Sequence, residues 1–286
     1  MVTKDIPVSV IMTAYNRERY IADAIESVLA STFTDFELII VDDTSTDNTV
    51  NIARKYEEQD SRVKVYVNEK NLGDYPNRNR ATSLAKGKYL KYVDADDLIY
   101  PWGLEILVNC MEKYPDSGWG LCSIYQDEER IFPFCLDKSQ IFNYHYTKNG
   151  LFQKAGLSSI ITREIFEKIG GFSGRRHLGD LELWVRLSLI SSVVLMPDGV
   201  VWHRIHDEQE SKANRIDEFV PLKYDISMLN FLKNNTDCMP PKLMKKIQFQ
   251  LQKIIVKKAL KFLIFFRWNN LKKVIFELKY SNETFN

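Results

Sequence analysis

The chain has 286 residues, 45% of them apolar and 27% charged, with a formal net charge of +1. This balance excludes a disordered chain and fits one large or two modest globular domains of enzyme size. Four cysteines show neither C-x-x-C nor a paired metal spacing, so they read as reduced thiols of a cytosolic protein rather than a disulfide framework.

The opening "MVTKDIPVSVIMTAYN" runs straight into a strand without a signal-peptide pattern. No uncharged apolar run reaches the roughly 18 residues of a transmembrane helix. "VSVIMT" (8–13) predicts a buried strand, Asn16 a helix cap, and Ile21, Ile25, Val28 and Leu29 one helical face. "FELIIVDD" (36–43) predicts a second strand, covered on both sides. "STDN" starts the next helix, and "RVKVYVN" (62–68) is a third strand. A helix is expected over 77–85, a fourth strand over 86–94 in "KGKYLKYVD", and a helix from Pro101 to about Lys113. Strand alternates with helix, which implies right-handed βαβ units and a mainly parallel sheet with helices on both faces.

Beyond Pro115 the pattern changes. Residues 126–150 are aromatic-rich and read as irregular; their rings suit either sugar stacking or core packing. "LSSIITREIFEKIGGF" predicts a strand, a helix and a Gly-Gly turn. "GDLELWVRLSLIS" (179–191) predicts a helix, and residues after about Arg215 read as helical.

Polar residues gather where the predicted strands end, the edge at which open α/β sheets bind ligands. Asp94, Asp96 and Asp97 in "KYVDADD" suit a hard divalent cation shared with phosphate oxygens, or else form a solvated acidic turn. In an extended strand Asp94 and Asp96 would point to one side. Asp42 and Asp43 suit a ribose or a base N–H, or else cap a helix. Arg78 in "NRN" offers a fork for diphosphate oxygens, or is a surface arginine. Asp180 stands at a loop-to-helix junction, as a general base or an N-cap. His203 and His206 in "VWHRIHDEQES" are each ligand or structural.

Taken in order, "PVSVIMTAYN", "FELIIVDDTSTDNT", "RVKVYVNEKNLG", "NRNRA", "GKYLKYVDADDLIYP", "IGGF" and "GDLELWVRL" resemble the family two nucleotide-sugar glycosyltransferases of the GT-A fold, over roughly residues 6–215. The resemblance implies an inverting, hexosyltransferase-type transfer from a nucleoside-diphosphate sugar, UDP-linked, to an acceptor hydroxyl in surface polysaccharide or glycolipid assembly. It places Thr13, Ala14, Tyr15, Asp42 and Asp43 at the base and ribose, and Arg78, Asp94, Ala95 and Asp96 at the nucleotide. It makes Asp180 the catalytic base. Asp94, Asp96, Asp97 and His206 become the candidate ligands of a Mn²⁺ or Mg²⁺ ion. The alternative is a non-catalytic subunit of the same fold that binds nucleotide-sugar or glycan. Three departures stand out: Thr44 where glycine is common, "PNRNR" for "AARN", and Gly179 before Asp180 where glutamate is common.

The implied organisation is a nucleotide-sugar-binding half over residues 1–115, an acceptor-binding and catalytic-base half over 116–215, and a basic amphipathic helical tail over 216–286. Residues 241–280 carry eleven lysines and arginines against one acid, Glu277, so the rest of the chain is net acidic. Ile247, Leu251, Ile254 and Ile255 share a helical face flanked by lysines. Such a helix lies on an anionic membrane surface or packs on the domain. The first reading suits a cytoplasmic enzyme held peripherally on the inner face of the membrane, with a glycan or lipid-linked glycan as acceptor. The apolar content argues against nucleic acid as a partner.

Overall fold

The first apolar runs form the strands from which the sheet grows. β1 (Val8–Ala14) and β2 (Phe36–Asp42) are buried along almost their whole length, so continuous apolar sequence is what both must carry. β3 (Val63–Val67) and β4 (Tyr89–Tyr92) join them in parallel. The connections are α1 (Ile21–Leu29), α2 (Thr49–Gln59) and α3 (Asp74–Ser83). α1 buries Ile21, Ala24, Ile25 and Val28 against this sheet, one face at helical spacing. The computed structural model describes residues 7–148, 150–175, 177–207 and 219–280.

The chain divides into two units, Met1–Lys138 with Asn149–Arg204, and Ser139–Lys148 with Ile205–Asn286. The first continues through β5 (Leu98–Ile99), α4 (Gly103–Glu112), β6 (Trp119–Leu121) and β7 (Phe134–Leu136). α5 (Lys138–Thr147) leads into the second unit, and the chain returns with β8 (Ser159–Thr162), α6 (Arg163–Lys168), α7 (Gly179–Ile190) and β9 (Val193–Leu195). The eight strands stand in the order β3-β2-β1-β4-β8-β6-β9-β7. β8 runs antiparallel to both its neighbours, and β7 antiparallel to β9, in an otherwise parallel sheet. β10 (Val201–Trp202) pairs antiparallel with β5, which delivers residues 203 and 204 to the end of β4. This is the α/β sheet with a helical C-terminal extension expected from the sequence.

Several local expectations are corrected. Asn16 does not cap α1, which begins at Ile21. α3 starts three residues early, because Gly73 at φ +83° turns the chain before Asp74. Residues 126–150 are not irregular throughout: they hold β7 and the whole of α5, with Phe142 and Tyr144 buried. β4 stops at Tyr92, so Asp94, Asp96 and Asp97 lie beyond the strand, in a turn where the Asp97 N–H donates to the Asp94 carbonyl at 3.0 Å.

The second unit is helical among its described residues: α5, α8 (Phe219–Asn234), α9 (Pro241–Ile264) and α10 (Trp268–Tyr280). Phe142 and Phe231 stack at 5.4 Å, and α9 buries Met244, Ile247, Leu251, Ile255 and Phe262.

Candidate active site

The ends of β1, β2 and β3 are level, since Ala14 pairs with Asp42 and Asp42 with Val67. The loops beyond them are tied by short polar contacts. Asn16 Oδ1 accepts from the Thr46 N–H at 2.8 Å, and Ser45 Oγ accepts from the Asn16 N–H at 2.7 Å. Asp42 accepts from the Ser45 N–H at 2.7 Å and from its hydroxyl; burial pushes its carboxyl up and Ser45 holds it back. Asp43 is buried and accepts from Asn68 Nδ2 at 2.7 Å, the Leu72 N–H at 2.8 Å and the Gly73 N–H at 2.8 Å. Its carboxylate therefore shapes the 68–73 loop. Thr13 and Ala14 close β1, and Tyr15 stands 48% exposed at the mouth of this rim.

The three aspartates of the β4 turn diverge. Asp94 Oδ1 lies 2.8 Å from Arg78 Nη2, and Asp96 Oδ2 lies 2.9 Å from Arg17 Nε. Asp97 is buried, accepts from the Arg204 N–H at 2.9 Å, and meets His203 Nδ1 at 3.0 Å. Burial and Asp94 raise the Asp97 carboxyl, His203 opposes them, and Asp97 in turn raises His203. Ala95 is buried between the two partly exposed acids. The three acids within these four residues thus each have a separate basic neighbour, which lowers the cost of holding them close. Under them lies Lys91, wholly buried on β4, whose Nζ donates to the Leu157 carbonyl; burial drops its ammonium to about 8.

Arg78 links this turn to Asp180. It projects from α3, with Nε 2.7 Å from Asp74 Oδ1. Burial works against its charge, but Asp74, Asp94 and Asp180 together raise its pKa well above the usual value. Tyr92 lies beneath the guanidinium at 5.8 Å and bonds Thr82 Oγ1 at 2.7 Å. Asp180 sits in the first turn of α7. Burial pushes its carboxyl up to about 7; Asp74 and Asp94 add to this, while Arg78 and the Gly156 N–H pull it down. Gly156 borders both groups, its Cβ position being 3.7 Å from Arg78 Nη1 and 3.9 Å from Asp180 Oδ1. A Cβ on Gly179 would meet the Tyr75 ring at 2.4 Å, so this ring replaces the side chain that a glutamate would place there.

The structure thus brings Arg78, Asp94 and Asp180 together, with Asp96 and Asp97 on the neighbouring turn. His206 belongs to the second unit and is described within it alone. Sequence reasoning missed Arg17, Tyr75, Lys91 and Gly156. The cationic run "NRERY" directly after β1 was a usable signal for Arg17; the others had none, since their roles come from partners far along the chain.

Among the described residues no group of three or more His, Cys, Asp or Glu is arranged to hold a metal. A Mg²⁺- or Mn²⁺-type ion shared with phosphates needs only one or two carboxylates. Asp94 and Asp96, partly exposed, fit that smaller donor set; Asp97, buried against His203 and Arg204, does not offer its oxygens to the rim.

A mostly parallel α/β sheet with an acid-rich rim beyond the strand ends is the GT-A fold. Its solved neighbours include the mannosyltransferase PcManGT from Pyrobaculum calidifontis in complex with GDP-Man and Mn²⁺ (TM-score 0.63, 14% identity, 98% of this chain and 88% of that one) and S. aureus TarS 1–349 in complex with UDP-GlcNAc (0.62, 19%, 86% and 71%). The description "Glycosyl transferase family 2" matches residues 9–170, more than half of the chain. An uncharacterized glycosyltransferase of Haemophilus influenzae is 38% identical over 218 residues, 72% of this chain and 68% of the relative. Glycosyltransferase GlyG of Streptococcus pneumoniae is 28% identical over 211 residues, 69% and 70%. The chain belongs to glycosyl transferase family 2.

Proposed function

We propose that the protein is an inverting glycosyltransferase that moves a hexose from a UDP-sugar to an acceptor hydroxyl, with Asp180 as general base. The observation that carries this reading is the Arg78–Asp94–Asp180 group: a carboxyl raised to about 7 beside a fixed guanidinium at the ligand rim. A base with a pKa near the working pH takes a proton efficiently. As the acceptor oxygen attacks the anomeric carbon, Asp180 takes its proton and the bond to the diphosphate oxygen breaks. The nucleoside diphosphate leaves from the opposite face, so the configuration inverts. One displacement needs no enzyme nucleophile.

Arg78 positions the diphosphate and offsets its charge. Asp94 and Asp96 would hold a Mn²⁺ or Mg²⁺ ion, which supplies electrostatic stabilisation of the departing diphosphate when bound. Arg17 would then release Asp96. Thr13, Ala14 and Tyr15 receive the base and ribose. Asp42 and Asp43 hold the loops of that cradle, and Asp43 keeps a lone pair for a base N–H after its three bonds. The acceptor is a glycan of surface polysaccharide or glycolipid assembly, carried on lipid at the inner face of the membrane. Support comes from the family and from GT-A neighbours that hold UDP-GlcNAc or GDP-Man.

A thermal-shift panel of nucleoside diphosphates with and without Mn²⁺ tests the donor side: UDP with Mn²⁺ should give the largest shift. Asp180→Asn should keep that shift and lose UDP release from a UDP-sugar. Normal turnover by this variant overturns the assignment.

A further inference from the structure

α9 has two apolar faces, and a helix lying on the surface of a soluble domain needs one. The inner face, with Met244, Ile247, Leu251, Ile255 and Phe262, is buried. The outer face carries Phe249, Val256, Leu260 and Leu263, all exposed, at steps of seven, four and three residues. At about 100° per residue, Leu260 stands about 180° from Leu251, so this stripe runs opposite the packed one. It ends in an apolar tip: Ile264, Phe265, Phe266 and Trp268 are 51–76% exposed, with Phe266 at φ +53° turning the chain between the helices. On α10 the outward Ile275 follows Trp268 by two turns and is 59% exposed.

Lysines border the stripe. Lys246, Lys253 and Lys257 project from the same side of α9 and are exposed, and Lys253 Nζ lies 4.4 Å over the Phe249 ring. The one acid of residues 241–280, Glu277, turns inward and meets Lys223 at 3.7 Å. The outward surface is therefore apolar and cationic, with no carboxylate of its own segment opposing it. No helix among the described residues is long and apolar enough to cross a membrane.

We infer that the outer face of α9, the 264–268 tip and the first turns of α10 seat on an anionic lipid bilayer, with the aromatic tip in the acyl boundary and the lysines at the headgroups. Both halves of the surface are needed for this partner. Apolar groups that cannot be packed against the domain enter the interface, and long lysine stems let the charges reach lipid phosphates. A nucleic acid would match the lysines and leave the phenylalanines wet. A second copy would bring two surfaces of the same strong charge together. The inference deepens the reading of a lipid-linked acceptor, and its test measures partition rather than transfer, so the two can fail separately.

The test is co-sedimentation of the full chain with vesicles of phosphatidylcholine alone and of phosphatidylcholine with phosphatidylglycerol, at low and high salt. The chain should pellet with the anionic vesicles and be released by salt. Phe265→Ser/Phe266→Ser/Trp268→Ser should lower partition at least about tenfold, and Lys253→Glu/Lys257→Glu about as much. Both variants alter exposed positions, and each should keep the wild-type thermal shift with UDP. Equal partition of wild type and the aromatic variant, or equal binding to both vesicle types, overturns the inference. So does a dimer on size-exclusion that the same variants dissociate while vesicle binding is absent.

Discussion

The Tyr75 ring fills the space that a side chain at residue 179 would need, 2.4 Å from the ideal Cβ position of Gly179. Helix α7, which carries Asp180, therefore begins against an aromatic ring of α3, the helix that carries Arg78. Tyr75 itself packs on Phe172 at 5.2 Å, which sits edge-on to Tyr92 at 5.6 Å, so the wedge is backed on its far side. The glycine before Asp180 is a steric requirement of that wedge.

Gly179→Ala should accordingly destabilise the fold by about 1–3 kcal/mol in denaturant unfolding, the usual cost of overpacking. Tyr75→Ala should recover most of that loss in the double variant, because the clash has one partner. Additive losses would show that the cost at residue 179 does not come from the Tyr75 ring.

The Asp180 carboxyl, raised to about 7 by burial, sets a pH dependence. Its pKa is higher folded than unfolded, so between about pH 4 and 7 the folded state binds more protons. The contribution of this group is most favourable below about pH 4 and is lost as pH rises through 7. Asp180→Asn should flatten that part of the stability profile. With Asp180 in the proposed role, the rate of wild type should fall on the acid side of about 7 as its carboxylate protonates. Arg78→Met removes the group that pulls Asp180 down and should move the acid limb upward, with weaker UDP binding; a limb that stays in place would detach Arg78 from the base.

Asp96 and Asp97 are adjacent and differently committed: Asp96, partly exposed, meets a half-buried arginine, and Asp97, buried, meets an exposed histidine. Asp96→Asn should remove most of the Mn²⁺-dependent gain in UDP affinity by calorimetry. Asp97→Asn should retain most of that gain and lower thermal stability instead, since His203 loses an ionic partner. The reverse pattern would move the metal to Asp97.

Thr44 adopts φ +66°, a left-handed conformation that a β-branched residue enters at a cost of roughly 1–2 kcal/mol. Its hydroxyl bonds the Asp43 carbonyl, which offsets part of this. Thr44→Gly should leave stability unchanged or raise it by up to about 1 kcal/mol in urea unfolding, with the turn geometry preserved. A loss above that size would show that the hydroxyl bond outweighs the strain.

By itself the sequence determined the alternation of strand and helix, the parallel character of the sheet, the rim at which the acids gather, and the two-sided chemistry of the tail. Those features follow from periodicity and composition, which every short window of the chain repeats. Tertiary structure decided which charge meets which. Asp96 meets Arg17 from 79 positions away, and Asp97 meets His203 from 106. It also decided that β4 ends before the acids: β1 runs on to Ala14 beside them, yet residues 94–97 turn, with the Asp97 N–H bonded to the Asp94 carbonyl. Ion pairs and steric wedges of this kind depend on the distance between side chains set by strand order and helix crossing, and no local pattern encodes that distance.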